Sequence, residues 1–304
     1  MLLSFTAEPT NPMKKIFLSC FFAILIIQAF AQQKHYIDTA LKFDNRFTNC
    51  ELKWVVLPLR DTSKRYYYGF IYIDLVAGFT MDVKGFFTVD ADGHYIADTS
   101  LTKNGLFKSR LGANTVNVAL LPPKHFKELN IQARPKWVDL YYRGRSDTST
   151  FYNYRMGFNY NAAGDSQTAL KYLDKAYKAN PHYKGLEFEV AYAYNALNRP
   201  DDAIALLESA VKYDPKNIMF YRELGYAYMN KKDYDKAIAL YKQGINLYPD
   251  AQSANEPKAE MAFNLASVYH KMGKDDNYKE WVVKAKGWSL PNSDVYKAAV
   301  RLGF

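Results

Sequence analysis

The segments ALKYLDKAYKANP (residues 169–181), AIALLESAVKYDP (203–215) and AIALYKQGINLYP (237–249) are three copies of one pattern. Their prolines, Pro181, Pro215 and Pro249, recur every 34 residues. Counting back from each proline, small residues recur at Ala176, Ala210 and Gly244, and again at Ala169, Ala203 and Ala237. Further upstream stand Tyr160, Tyr194 and Tyr228, and three residues before each lies Gly157, Ala191 or Gly225. The apolar residues follow a helical period, so each unit reads as two helices joined by a polar break. Proline ends the second helix because it lacks the amide donor and clashes with the preceding turn. Asp165 and Asp233 precede second helices, where a carboxylate caps free amides, and Pro200 takes the helix-start role in the middle unit.

Two helices this short cannot bury an apolar face alone, so neighbouring units must stack. Close approach inside a hairpin demands side chains no larger than a methyl, which accounts for Gly157, Ala191 and Gly225 facing Ala169, Ala203 and Ala237. Met156, Val190 and Leu224, with Leu173, Leu207 and Tyr241, fill the surrounding space, and Ala176, Ala210 and Gly244 let the next unit dock. The pattern resembles the tetratricopeptide repeat (TPR) from residue 150 onward. A fourth, degenerate unit follows an insertion at residues 251–257. There Leu265, Ala266 and Tyr269 fit the first helix and Ala285 the docking position, while Tyr278 replaces a preferred alanine. Residues 293–302 fit a final capping helix.

The resemblance implies a concave groove lined by the first helix of each hairpin, which holds a peptide or a partner helix. It places Tyr154, Phe158 and Asn161 on the groove wall in the first repeat, and Phe188, Tyr192 and Asn195 in the second. Arg222, Tyr226 and Asn230 follow in the third. Aromatic faces supply contact area, and asparagine amides can pair with a peptide backbone. The lysine-and-asparagine clamp that some TPR proteins use for a terminal carboxylate is not visible, since Arg222 alone is cationic in this column. The competing reading of the aromatic column is packing against the N-terminal module or a C-terminal helix.

Ahead of the repeats the period changes from 3.6 to two. Residues 51–59, 66–76 and 78–89 read as strands, and Asp90-Ala91-Asp92-Gly93 as a hairpin turn into 94–97. A DxDG run can open a calcium loop, but the later oxygen ligands are missing. Residues 117–121 and 137–142 read as further strands, 124–130 as a short helix, and the polar stretch 144–150 as a hinge. The dense aromatics, including Trp54, Tyr66, Tyr68, Phe70 and Tyr72, read as sheet core. The expected fold is therefore α+β: a β-rich module at 32–148, then an all-α TPR solenoid at 149–304 with three clear repeats, one degenerate repeat and a cap.

Residues 1–31 read as a signal peptide, with Met13 as the start, Lys14 and Lys15 basic, an apolar run at 16–27, and Ala29-Phe30-Ala31 before cleavage. The run is too short to span a bilayer comfortably. Removing it leaves Cys50 as the one cysteine, read as a buried apolar residue, and lowers the formal charge from +9 to +8. With no dense basic block, nucleic acid is an improbable partner, although an anionic membrane surface is compatible. The five histidines lack ligand spacing, and no nucleophile elbow or phosphate loop occurs, so no catalytic residue, metal or cofactor is expected. These features point to a non-catalytic adaptor, exported to a bacterial periplasm, cell envelope or exterior, that binds a segment of another envelope protein. The alternative is an envelope enzyme or glycan-binding protein with its active surface on the β-module.

Overall fold

The computed structural model describes residues 36–59, 64–103, 105–248 and 255–304. The expected signal peptide and Pro249 lie outside the described residues. The N-terminal half is one antiparallel sheet of six strands: β1 (Lys53–Val56), β2 (Tyr66–Asp74), β3 (Gly78–Val89), β4 (Tyr95–Asp98), β5 (Phe107–Arg110) and β6 (Ala119–Leu120). Its order is β4-β3-β2-β1-β6, with β5 also paired to β3. The turn at 90–93 closes as expected, with Asp90 Oδ1 accepting from the amides of Asp92 and His94 at 2.9 Å each. Strand β5 has too few apolar residues to announce itself; its pairing with Thr80–Val83 makes it a strand.

A β-bulge decides which face each half of β3 presents. The register skips Lys84, because Tyr68 pairs with Gly85 and Gly69 with Val83. Gly85 has φ +146°, and a Cβ there would lie 2.4 Å from the carbonyl oxygen of Asp98, so only glycine fits. The skip inverts parity: Phe79, Met81 and Val83 join Ile71 and Ile73 on one face, while Phe87 and Val89 join Tyr66, Tyr68, Phe70 and Tyr72 on the other. A two-faced sheet of this kind needs cover on both sides.

Residues 136–142 cover the aromatic face, and here the sequence expectation is corrected. They form a 3-10 turn (Lys136–Val138) and one helical turn (Asp139–Tyr142) instead of a strand. Helical spacing brings Trp137 and Tyr141 together onto Tyr72, at ring separations of 5.1 and 4.6 Å, and this packing outweighs β propensity. The expected short helix at 124–130 is likewise reduced to a 3-10 turn at Pro123–His125 followed by turns.

The second half is helical: α1 (Thr150–Ala162), α2 (Ser166–Ala179), α3 (Leu186–Ala196), α4 (Pro200–Tyr213), α5 (Ile218–Asn230), α6 (Tyr234–Asn246), α7 (Glu256–Lys271), α8 (Asp275–Trp288) and α9 (Asp294–Arg301). Asp165 and Asp233 cap α2 and α6 by accepting from the amides of Thr168 and Lys236, and Pro200 opens α4. Ser293 caps α9, whose Val295 and Ala299 are buried against the end of the stack. Tyr278 is accommodated half-buried, edge-on to Phe304 at 6.0 Å.

The aliphatic face of the sheet closes the open start of this stack. Ile71, Ile73, Phe79 and Met81 share one core with Met156, Tyr160, Leu170 and Leu173 of the first hairpin. Phe79 meets Tyr160 edge-on at 5.1 Å. Arg155 donates to the carbonyls of Leu75 (2.7 Å) and Val76 (2.9 Å), and Arg46 to that of Gly164 (3.0 Å). The stretch expected as a hinge is anchored at Arg145. Arg145 lies 3.8 Å over the Tyr142 ring and donates to the carbonyls of Tyr141 and of Ile73 in the sheet. Cys50, fully buried in this shared core, is free, and burial pushes its thiol pKa up. Among the described residues no helix is long and apolar enough to cross a membrane.

Candidate partner-binding groove

The concave wall is built from the first helix of each hairpin, α1, α3, α5 and α7. Residues 34 apart occupy equivalent positions there, so the expected column forms a physical row. Tyr154 and Phe158 are half-buried on α1, with Tyr154 5.2 Å from Tyr183 and Phe158 under the Arg155 guanidinium at 4.7 Å. Phe188 lies beneath Arg222 at 5.0 Å. Tyr192 and Tyr226 stand most open, at 39% and 36% exposure. Asn230 is half-buried at the end of α5.

Asn161 and Asn195 lie deeper than the aromatics. Asn161 donates to the carbonyl and carboxylate oxygens of Glu189, at 2.9 and 2.8 Å. Asn195 does the same with Glu223 at 3.0 Å for both. Each amide therefore spends its donors on the next repeat, leaving its Oδ1 buried without a hydrogen bond. Arg222 continues the ladder, reaching Glu223 Oε1 at 3.1 Å and pairing with Glu260 of α7. Burial lifts Glu189 to about 7, the Asn161 bond opposes this, and the Glu223 charge adds to it. Burial also raises Glu223, with the Arg222 charge and the Asn195 bond acting against it.

Glu189, Glu223 and Glu260 lie outside the expected column. The signal was available, because Asn161 to Glu189 and Asn195 to Glu223 are both steps of 28 residues. Phe263 and Asn264 of α7 also lie outside that column, since the fourth unit is degenerate. Between α3, α5 and α7 lies an open hollow of about 440 Å³, walled by Tyr192, Asn195, Arg222, Tyr226, Glu260 and Phe263. Val295 of α9 also lines it. The sheet, packed on the outer end of the first hairpin, does not line this hollow. Such a lining offers aromatic area together with buried hydrogen-bonding and charged groups.

Stacked helical hairpins with an open inner wall define a helical-repeat scaffold for protein interaction. The tetratricopeptide repeat family matches residues 159–217 and 188–252, and the repeats over residues 159–252 belong to that family. A thermophilic TPR protein of Thermus thermophilus is similar in structure at 21% identity, over 50% of this chain and 80% of that one, with a TM-score of 0.44. MamA (41-end) from Desulfovibrio magneticus is similar at 19% identity, over 54% and 82%, with a TM-score of 0.40. No curated protein matches the chain.

Proposed function

We propose that the chain is an exported, non-catalytic adaptor of a bacterial cell envelope that holds a segment of a partner protein in the concave groove. In this reading residues 1–31 are a cleaved leader, 32–148 an end-piece with its own surface, and 149–304 the binding domain. The observation that carries the reading is the open hollow between α3, α5 and α7, with Tyr192 and Tyr226 exposed at its mouth. Tyrosine and arginine are enriched among the residues that carry protein interfaces, and Tyr192, Arg222 and Tyr226 line this hollow together.

The test compares proteins recovered from envelope extract by wild type, by Tyr192→Ala with Tyr226→Ala, and by Val283→Ala on α8 as a control. A specific partner should be retained by wild type and control and lost at least about tenfold by the double variant, as two aromatic hot spots imply. Equal recovery by all three removes the groove from the account. Export is tested separately, by mass measurement of the protein released from cells, which should begin at Gln32.

A further inference from the structure

A second hollow, of about 640 Å³, lies on the aromatic face of the sheet, turned away from the helices. Asp82 of β3 lines it. Asp82 stands mid-strand between Phe70 and Lys108, nine-tenths buried, on the face that carries the core aromatics. A buried carboxylate is costly unless donors reach it. Here burial raises its pKa, and Lys84 and Lys108 oppose this only through their charge at a distance. Lys108 is itself held elsewhere: its ammonium donates to the Tyr141 hydroxyl at 2.8 Å and sits over the Tyr72, Trp137 and Tyr141 rings at 5.0–5.7 Å. Asp82 therefore faces the hollow with accepting capacity that no donor among the described residues takes up.

The rest of the lining narrows what supplies those donors. Trp54 and Trp137 form aromatic wall, and the Trp54 indole N–H is already spent on the carbonyl of Gln132 at 2.8 Å, so its contribution is apolar. Lys84, Lys127 and Lys136 line the same hollow, so three lysines oppose the single carboxylate. A cationic ligand would meet that excess of positive charge, and a simple anion would meet Asp82 at the floor. A ring bearing hydroxyls, an apolar face and an acidic group satisfies all three parts.

We propose that this hollow binds an acidic saccharide, with ring hydroxyls donating to Asp82, the apolar ring face against Trp54 and Trp137, and the sugar carboxylate held by Lys84, Lys127 and Lys136. The site is separate from the groove, so its failure leaves the adaptor reading standing, and the reverse holds.

Titration of the full chain with tetragalacturonate, followed by tryptophan fluorescence, tests it. Two of the four tryptophans, Trp54 and Trp137, lie in the wall, while Trp281 and Trp288 lie on α8. The expected result is a saturable change that weakens about tenfold in Asp82→Asn, through loss of a charge-assisted hydrogen bond. Lys127→Gln with Lys136→Gln should weaken binding by a similar factor and flatten its salt dependence. Asp82→Asn removes a buried charge, so it should melt no lower than wild type and its loss of binding cannot be ascribed to unfolding. Neutral chitotetraose should bind at least about tenfold more weakly, because it lacks the group the lysines hold. No saturable change, or wild-type binding by both variants, overturns the proposal. Citrate competing as well as the tetrasaccharide also overturns it, by reducing the site to a basic rim.

Discussion

Gly225 and Gly157 hold the same slot two repeats apart, and each faces a buried side chain of its own hairpin. A methyl at Gly157 would lie 2.4 Å from the branched end of Leu173, and one at Gly225 would lie 2.7–2.9 Å from the ring of Tyr241; both partners are fully buried. Alanine is the better helix former by about 1 kcal/mol, but overpacking costs about 1–3 kcal/mol. Gly225→Ala should therefore lower stability by about 1 kcal/mol, read from the urea midpoint; a stabilised variant would mean that Tyr241 can yield. Glu189 supplies a pH prediction. Its folded pKa of about 7 lies above the ordinary value of 4.5, so the native state holds a proton that the unfolded chain releases between those values. Stability from this group is then complete at low pH and falls as pH rises from about 4.5 to 7. Glu189→Gln cannot ionise, so its melting temperature should gain on wild type between about pH 5 and pH 8, by the equivalent of about 2 kcal/mol. An unchanged gap across that range would show that Glu189 ionises as freely in the fold as out of it.

Between elements, the Asn–Glu bonds are what fasten one first helix to the next on the concave side. Asn195→Ala leaves the Glu223 carboxylate buried without one of its donors, at a cost of about 1–3 kcal/mol. A cycle with Glu223→Gln should return a coupling of about 1–2 kcal/mol; additivity would show that the two side chains do not depend on each other. These contacts join residues 28 apart in units that repeat every 34, so the period that reveals the hairpins also holds their fastening. Hairpin packing was legible because each slot tolerates few residue types. The stretch 137–142 was not, since its aromatics suit strand and helical turn alike, and only Tyr72 beneath them selects the turn. Strand β5 was missed for the same reason: pairing with β3, not its own residues, defines it.

Across the whole molecule, the shared core makes the two halves depend on each other. Phe79 belongs to the sheet, yet it packs on Tyr160 of α1, so Phe79→Ala should remove about 3–5 kcal/mol from both halves together. Far-UV signal from the helices and near-UV signal from the sheet aromatics should then shift to one common lower midpoint. Two separated transitions would mean that the halves fold independently. The amino-acid sequence by itself determined the repeat period, the helix caps, the hairpin around Asp90–Gly93 and the two-residue alternation of β2, because each is written in neighbours a few residues apart. Tertiary structure alone decided that the bulged sheet seals the first hairpin, that Asn161 and Asn195 turn to the next repeat, and that Asp82 opens into a hollow between aromatic walls. Those outcomes rest on groups distant in the chain meeting in space, where burial and charge act on whatever has been brought together.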